Sequence, residues 1–171
     1  TRRQIADTYQ QCGRAERAAA IYEDLLAEIG ESADLLNDLG NCYFKQGKFT
    51  QAESHYRRGL ELMPGHPLSQ RNLGLTLTRL NRLEDAAGML ATYVAANPEP
   101  AVADILAGIF MSLGLPERSI PIYEQRLQTD PTDTGALYHL SECYLAMGHK
   151  DAALVGLRSV VKSAPDFAPA R

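Results

Sequence analysis

A set of seven residue positions occurs in five copies along the chain, at intervals of 34, 34, 33 and 34 residues. In the second copy the set is Leu39, Gly40, Tyr43, Gly47, Ala52, Tyr56 and Pro64. The other copies place residues of similar size at most of these positions. A period of about 20 to 50 residues is typical of repeat architectures, in which each repeat is one supersecondary unit. This periodicity limits the possible folds more than any other feature of the chain.

Each repeat contains two stretches with the apolar spacing of a helix. In the second repeat they run over residues 35–43 and 52–63, with apolar residues three or four positions apart. Gly47 separates them, because glycine readily adopts the left-handed conformation that ends a helix. Pro64 stops the second stretch, since proline cannot continue a helix. The alternation typical of strands is absent, so the sequence predicts an all-α chain of about ten antiparallel helices.

Two positions of each repeat carry small residues. They are Ala6, Gly40, Gly74, Ala107 and Ser141 in the first helices, and Ala18, Ala52, Ala86, Ser119 and Ala153 in the second helices. We expect the paired helices to approach closely there, because a bulky side chain would overpack the contact at a cost of about 1–3 kcal/mol. Large residues such as Tyr43 and Tyr56 then fill the space between helices, and stacked neighbours supply the core.

The fourth repeat departs from this pattern. Pro116 stands at a plausible helix start, and Pro121 follows about one turn inside the helix. Proline removes one intrahelical hydrogen bond and crowds the preceding turn. We therefore expect a kink at Pro121, or a helix whose regular part starts late.

The recurring L-G…Y…A…Y…P residues resemble the tetratricopeptide repeat (TPR) family, whose unit is a helix-turn-helix of about 34 residues. The resemblance covers essentially the whole chain and implies a single right-handed superhelical solenoid of antiparallel helix pairs. The repeats are residues 1–32, 33–66, 67–99, 100–133 and 134–167, and residues 168–171 form a tail or the start of a further repeat.

The ends of the sequence suggest a fragment of a longer array. The chain starts inside the first helix of a repeat, and the final DFAPAR places Pro169 near a possible first helical position. Solenoid ends need a polar cap, and no separate capping helix follows Pro165. We therefore expect an apolar face from Leu154, Leu157 and Val161 that is covered by self-association or by the tail.

The resemblance also implies a concave groove lined by the first helices of the repeats. The residues that fall at groove positions are Asn37, Asn41, Phe44, Lys45, Arg71, Asn72, Leu75, Arg79, Asp104, Met111, Tyr138 and Glu142. The first half of this set is polar with mixed charge, and the second half is more apolar. Such a surface suits an extended peptide or a helix of a partner protein.

One group within the family holds chaperone tails with a two-carboxylate clamp of Lys, Asn and Arg residues. If the clamp is aligned with the second repeat, Asn37 stands where Lys is needed, and Ala101 and Ile105 stand where cations are needed. If it is aligned with the first repeat, Asp7 and Asp38 replace amides and would repel a carboxylate. We predict that the chain lacks this clamp.

Catalysis is the weaker interpretation of the reactive residue types. His139 and Cys143 are four positions apart on one predicted helix, as a base and a nucleophile would be. However, Cys42 and Cys143 occupy the same repeat position beside a core tyrosine, so we interpret both as buried, inert thiols. The histidines lack metal-ligand spacing. We predict no enzyme activity, no cofactor and no metal.

Charge and cysteine usage narrow the partners and the compartment. The formal charge of −4 and the acids at groove positions argue against nucleic acid. The longest apolar stretch, residues 105–115, is far shorter than the roughly 20 residues that span a bilayer. Three widely spaced cysteines exclude complete disulfide pairing. A reducing, cytoplasmic location is favoured, and a periplasmic or envelope location stays open.

Three functions remain open for such a chain. The first is a scaffold that binds a protein or peptide in the groove. The second is self-assembly through the array ends or the convex surface. The third is a recognition arm of a larger enzyme or secretion machine, with catalysis outside these residues.

Overall fold

The computed structural model describes residues 1–164, which form ten helices joined by short connections. The helices are α1 (Arg2–Gln11), α2 (Ala15–Ile29), α3 (Ala33–Lys45), α4 (Phe49–Leu62), α5 (Pro67–Arg79), α6 (Leu83–Ala96), α7 (Pro100–Ser112), α8 (Pro116–Thr129), α9 (Thr134–Ala146) and α10 (Lys150–Ser163). No strand occurs among these residues. The all-α prediction is therefore confirmed.

The chain divides into two compact units. The first unit, Thr1–Pro98, contains α1 to α6, in which consecutive helices pack together and α3 also contacts α5. The second unit, Glu99–Arg171, contains α7 to α10, which again pack consecutively. One helix pair falls within each of the five predicted repeats.

The turn inside each helix pair ends the first helix. At the end of α3, the N–H of Lys48 donates to the carbonyl of Tyr43 at 2.9 Å, and the N–H of Gly47 donates to the carbonyl of Phe44 at 3.0 Å. These two bonds form a Schellman motif, which needs a left-handed residue. Gly47 supplies it with φ of 75°, and Asn81 does the same after α5 with φ of 57°.

The small positions are sites of close helix contact. A Cβ atom on Gly40 would lie 2.6 Å from the ring of Tyr56, and one on Gly74 would lie 2.5 Å from Leu90. Neither distance is tolerated between real atoms, so glycine lets α3 meet α4 and lets α5 meet α6. The prediction of close approach at these positions is confirmed.

Each unit has its own apolar core. A buried cluster in the first unit consists of Ala6, Ala18, Ala19, Tyr22, Leu25, Leu35, Leu39 and Cys42. A buried cluster in the second unit consists of Ala107, Tyr123, Ala136 and Cys143. In each cluster the second helix of one repeat joins the first helix of the next, as stacked repeats require.

Pro121 lies inside a continuous helix. Helix α8 begins at Pro116 and runs past Pro121 to Thr129, so the expectation of a late start is wrong. Pro121 cannot donate to the carbonyl of Glu117, but both residues are exposed, so water can replace the missing bond. The expected kink remains a prediction.

Apolar side chains are exposed on the last helix. Leu154 and Val161 are 48% and 46% exposed, as predicted, and Val155 is also exposed. Leu157 is only half-buried. The expected covering tail, including Pro165 and Pro169, lies outside the described residues.

Candidate functional site

The first half of the predicted groove is built around a network of side-chain amides. Asn72 on α5 donates from Nδ2 to Asn37 Oδ1 at 2.8 Å and to Asn41 Oδ1 at 2.9 Å, both on α3. The hydroxyl of Tyr56 on α4 also donates to Asn41 Oδ1, at 2.7 Å. We call Asn37, Asn41, Asn72 and Tyr56 the amide network. It links the first helices of two successive repeats.

The residues of the amide network differ in how accessible their side chains are. Asn37 is 2% exposed, so little of its predicted groove side chain is accessible to a ligand. Its oxygen accepts the hydrogen bond from Asn72. By contrast, Asn41 and Asn72 are only half-buried, and their hydrogen bonds do not use Asn41 Nδ2 or Asn72 Oδ1. One donor group and one acceptor atom of two side chains in contact are therefore not used by the network.

The first repeat contains an equivalent tyrosine hydrogen bond, in which the acceptor is a carboxylate. Tyr22 donates its hydroxyl hydrogen to Asp7, which is the repeat equivalent of Asn41. Burial raises the pKa of Tyr22 and of Tyr56, so both phenols stay protonated and act as donors. A core tyrosine thus holds a polar groove side chain in two successive repeats.

The end of α3 carries an aromatic and a cationic side chain. Phe44 is half-buried and meets Phe49 edge-on, with ring centroids 5.3 Å apart. Lys45 is exposed in the last turn of α3, and its Nζ donates to the carbonyl oxygen of Gln10 at 3.3 Å. Both therefore lie at the turn end of the predicted groove.

The predicted residues of α5 share one face of that helix. Arg71, Asn72 and Leu75 are half-buried, and Arg79 is exposed in the last turn. Because Asn72 bonds Asn41, this face of α5 adjoins the predicted face of α3. We call Asn41, Phe44, Lys45, Asn72, Leu75 and Arg79 the first-unit groove face.

The opposite end of α3 is acidic. Asp38 forms an ion pair with Arg3 of α1 at 2.7 Å. Burial raises the pKa of Asp38, and the neighbouring guanidinium of Arg3 opposes that shift. Asp34 lies one turn earlier and is exposed. Helix α3 therefore changes from acidic to basic along its length.

In the second unit the predicted groove residues take other roles. Asp104 of α7 forms an ion pair with Arg126 of α8, which also contacts Asp133. Burial is the largest influence on Asp133, yet the N–H of Ala136 and the Arg126 guanidinium outweigh it and lower the pKa of that carboxyl. Asp104 therefore fixes a helix junction.

The remaining predicted residues lie on α7 and α9. Met111 Sδ accepts a hydrogen bond from Cys143 Sγ at 3.6 Å. Glu142 contacts His139 Nδ1 at 2.9 Å, and its hydrogen bond with Tyr138 raises the pKa of that phenol. The imidazole of His139 therefore engages a carboxylate and not the thiol of Cys143.

Both core thiols have the properties of packing residues. Cys42 and Cys143 are fully buried. Burial raises the pKa of Cys42 to about 11 and also raises the pKa of Cys143. A thiol that resists ionisation is a poor nucleophile, so the interpretation of these residues as packing thiols is supported by their surroundings.

Within residues 1–164, three side chains of reactive types lie together in a way that the sequence analysis did not predict. His66 Nδ1 lies 2.7 Å from Ser69 Oγ, and His66 Nε2 lies 3.1 Å from Asp34 Oδ1. Ser69 is 0% exposed, so a substrate cannot reach its hydroxyl. His66 is the N-cap of α5, because its Nδ1 accepts the N–H of Ser69. The set therefore caps a helix and ties it to α3. Its only sequence signal is a histidine directly before Pro67.

Residues 1–164 contain no cluster of three or more His, Cys, Asp or Glu side chains that could hold a metal ion. In the same range, no helix combines the length and the apolar character needed to cross a bilayer.

The sequence matches two family models. One, described as the cilia and flagella-associated protein 70 middle TPR-like domain, covers residues 3–115. The other, the tetratricopeptide repeat, covers residues 110–171. Protein FlbA of Caulobacter vibrioides is 24% identical over 160 residues, which are 93% of this chain and 27% of FlbA. The chain spans only 14% to 27% of the curated relatives it matches.

Solved structures share the fold. The crystal structure of YrrB, described as a TPR protein with an unusual peptide-binding site, has a TM-score of 0.85 at 19% identity and covers 99% of this chain and 88% of YrrB. MamA from Desulfovibrio magneticus has a TM-score of 0.82 at 18% identity and covers 97% of this chain and 94% of MamA. The chain belongs to the family of the cilia and flagella-associated protein 70 middle TPR-like domain, and hence to the tetratricopeptide repeat proteins.

Proposed function

We propose that this chain is a non-catalytic scaffold that binds an extended peptide of a partner protein on the first-unit groove face. The observation that carries the proposal is the amide network. Its hydrogen bonds use neither the Nδ2 group of Asn41 nor the Oδ1 atom of Asn72, two side chains that are bonded to each other across adjoining helices. That YrrB is described as having a peptide-binding site adds support from a protein of the same fold.

The two available groups match the needs of a peptide backbone. Each residue of an extended peptide offers one N–H and one carbonyl group. Asn41 Nδ2 would donate to a peptide carbonyl, and Asn72 Oδ1 would accept from a peptide N–H. Such contacts give affinity that depends little on sequence, while neighbouring pockets supply specificity.

The amide network also lowers the entropic cost of binding. Asn41 Oδ1 is held by two donors, one of which is the buried Tyr56. Because the side chain is already fixed, little rotamer freedom is lost when a peptide binds. We therefore expect the groove face to be organised before the ligand arrives.

A displayed library of random peptides, panned on the 171-residue chain, tests this proposal. For a selected peptide, Asn72→Ala should raise Kd about tenfold, because it removes one ligand bond and one of the two donors that hold Asn41. Gln51→Ala, an exposed change on α4, is the matched control and should leave Kd unchanged. Thermal melts establish that both variants are folded. Failure to select any peptide, or equal Kd values for Asn72→Ala and the control, would contradict the proposal.

Self-assembly is a second candidate, favoured by the exposed apolar residues of α10. Leu154, Val155 and Val161 present an apolar face in the second unit, and such faces favour association. The occupant we propose is a second copy of this chain. Sedimentation at rising concentration should show dimers that Leu154→Glu with Val161→Glu abolishes. A monomer throughout would rule this candidate out.

A further inference from the structure

We propose that the peptide bound by the first-unit groove face is acidic, with a carboxylate side chain held between Lys45 and Arg79. This inference rests on the proposed function and adds the charge and the orientation of the ligand. It is carried by two cations without carboxylate partners at equivalent positions of α3 and α5, on the first-unit groove face.

Lys45 and Arg79 are equivalent residues of successive repeats. They stand 34 positions apart, in the last turns of α3 and α5, and both are exposed. Within residues 1–164, neither forms an ion pair, and Lys45 contacts only a backbone carbonyl. Arg17 and Lys48 of the same unit likewise form no ion pair in this range, but they lie over the rings of Tyr9 and Tyr43, and Arg14 has no ion pair either. Five arginines of the unit do have carboxylate partners: Arg2, Arg3, Arg57, Arg58 and Arg82.

The helix dipole explains in part why Lys45 and Arg79 lie in the last turns of their helices. A cation near the C-terminus of a helix interacts favourably with the helix dipole, by about 0.3–1 kcal/mol. That effect accounts for a basic residue in the last turn. It does not supply a carboxylate partner, which Lys45 and Arg79 lack and five arginines of the unit have. A ligand carboxylate would complete both sites at once.

The acidic end of α3 fixes the direction of the ligand. Asp34 and Asp38 lie at the start of the helix, and Arg3 neutralises only Asp38. Residues 34 and 45 are separated by about 16 Å along the axis, at about 1.5 Å per residue. A carboxylate of the ligand would be repelled at the first end and attracted at the second. The peptide should therefore lie with its acidic side chain toward the turn between α3 and α4.

The spacing between the backbone contacts and the cations predicts the position of the acid. Lys45 lies one turn beyond Asn41, about 6 Å, and Arg79 lies two turns beyond Asn72, about 10 Å. An extended peptide advances about 3.3 Å per residue. The acid should therefore stand two or three residues from the residue that contacts the amides. The intervening residue should be apolar, because half-buried Leu75 lies between Asn72 and Arg79.

The test uses three sets of fluorescein-labelled synthetic peptides that differ only at the predicted position, which carries Glu, Gln or Lys. For the wild-type chain we expect the Glu set to bind about three- to tenfold more tightly than the Lys set, as two exposed ion pairs would allow. Lys45→Glu with Arg79→Glu should reverse this order. Lys45→Ala with Arg79→Ala should abolish the preference and retain binding. This second variant keeps the inference testable if the charge-reversed variant does not fold.

Lys150→Glu with Lys162→Glu is the matched control, since both residues are exposed on α10 and the change in net charge is the same. This control should keep the wild-type preference. If it reverses the preference equally, overall charge and not a site is responsible, and the inference is overturned.

The outcomes separate the inference from the proposed function. In one outcome, peptides bind and Asn72→Ala lowers their affinity, but charge reversal at Lys45 and Arg79 leaves the preference for Glu over Lys unchanged. The inference then fails and the proposed function stands. If no peptide binds, both fail. If a labelled oligouridine binds and is lost in the charge-reversed variant while the peptides show no preference, the two cations serve nucleic acid and the inference is overturned.

Discussion

The hydroxyl of Tyr56 donates a hydrogen bond of 2.7 Å to the side-chain oxygen of Asn41. Tyr56 is a core residue whose ring fills the space left by Gly40, and Asn41 belongs to the groove face. A single side chain thus connects the packing of a helix pair to the geometry of the candidate site. If peptides bind on the first-unit groove face as proposed, changes at Tyr56 should therefore alter their affinity.

Removal of the Tyr56 hydroxyl should reduce both stability and binding. We expect Tyr56→Phe to lower the free energy of unfolding by about 0.5–1.5 kcal/mol, because a half-buried hydrogen bond is lost. Urea denaturation measures this change. Tyr123→Phe is the matched control, because position 108, the repeat equivalent of Asn41, is a glycine with no side chain to accept the bond. Equal losses in both variants would show that the Asn41 contact is not responsible.

A methyl group at position 40 should destabilise the helix pair of the second repeat, α3 and α4. We expect Gly40→Ala to cost about 1–3 kcal/mol, since its Cβ would overlap the Tyr56 ring. Gly88→Ala in α6 meets no atom within 4 Å and should be neutral or stabilising by up to about 1 kcal/mol. Chemical denaturation compares the two. The packing interpretation is contradicted if both substitutions have the same effect.

Stability should decrease in mild acid because of His55. This ring is stacked on Tyr43 with 5.2 Å between centroids, and burial lowers its pKa while Glu23 and Glu31 oppose the shift. A histidine with a lowered pKa in the folded state binds its proton more readily when unfolded. Its contribution is therefore complete above the unfolded pKa of about 6.5 and is lost as pH falls from there toward the folded pKa.

His55→Phe keeps the ring stack and removes the titration. Between about pH 7 and pH 5, around the unfolded histidine pKa, the variant should lose less unfolding free energy than the wild type. Denaturation at a series of pH values gives both slopes. Identical slopes of unfolding free energy against pH would mean that protonation of His55 does not affect stability.

The three cysteines should react at very different rates. Cys12 is exposed, while Cys42 and Cys143 are buried with raised pKa values, so only Cys12 should react quickly with a thiol-specific disulfide reagent in the native chain. All three should react in denaturant. Cys12→Ser should remove the fast phase. A fast phase that survives in this variant would reveal a reactive core thiol.

The sequence was sufficient to predict the features that repeat. Gly47 at the turn and Gly40 at the close contact recur at fixed spacing, and each has one backbone or steric reason that spacing alone reveals. Features that occur once escaped prediction. The burial of Asn37 depends on Asn72 in the next repeat, and the His66 cap depends on Asp34 two helices earlier. Such pairs meet only when repeats stack, so periodicity gives no sign of them.

Pro121 shows a second reason why the sequence did not predict every feature of the fold. Local rules predict that an internal proline disturbs its helix, yet α8 starts at Pro116 and continues through Pro121. The helix has packing partners in α7 and α9 that an isolated segment lacks. Tertiary contacts supply most helical stability in proteins, and here they outweigh one lost hydrogen bond.

Hydrogen–deuterium exchange with a selected peptide tests the groove proposal most directly. We predict that the bound peptide slows exchange of backbone amides in α3 and α5, centred on Asn41 and Asn72, and that Asn72→Ala removes this protection. Protection confined to α2, α4 or α10, or protection that persists in Asn72→Ala, would contradict binding on the first-unit groove face.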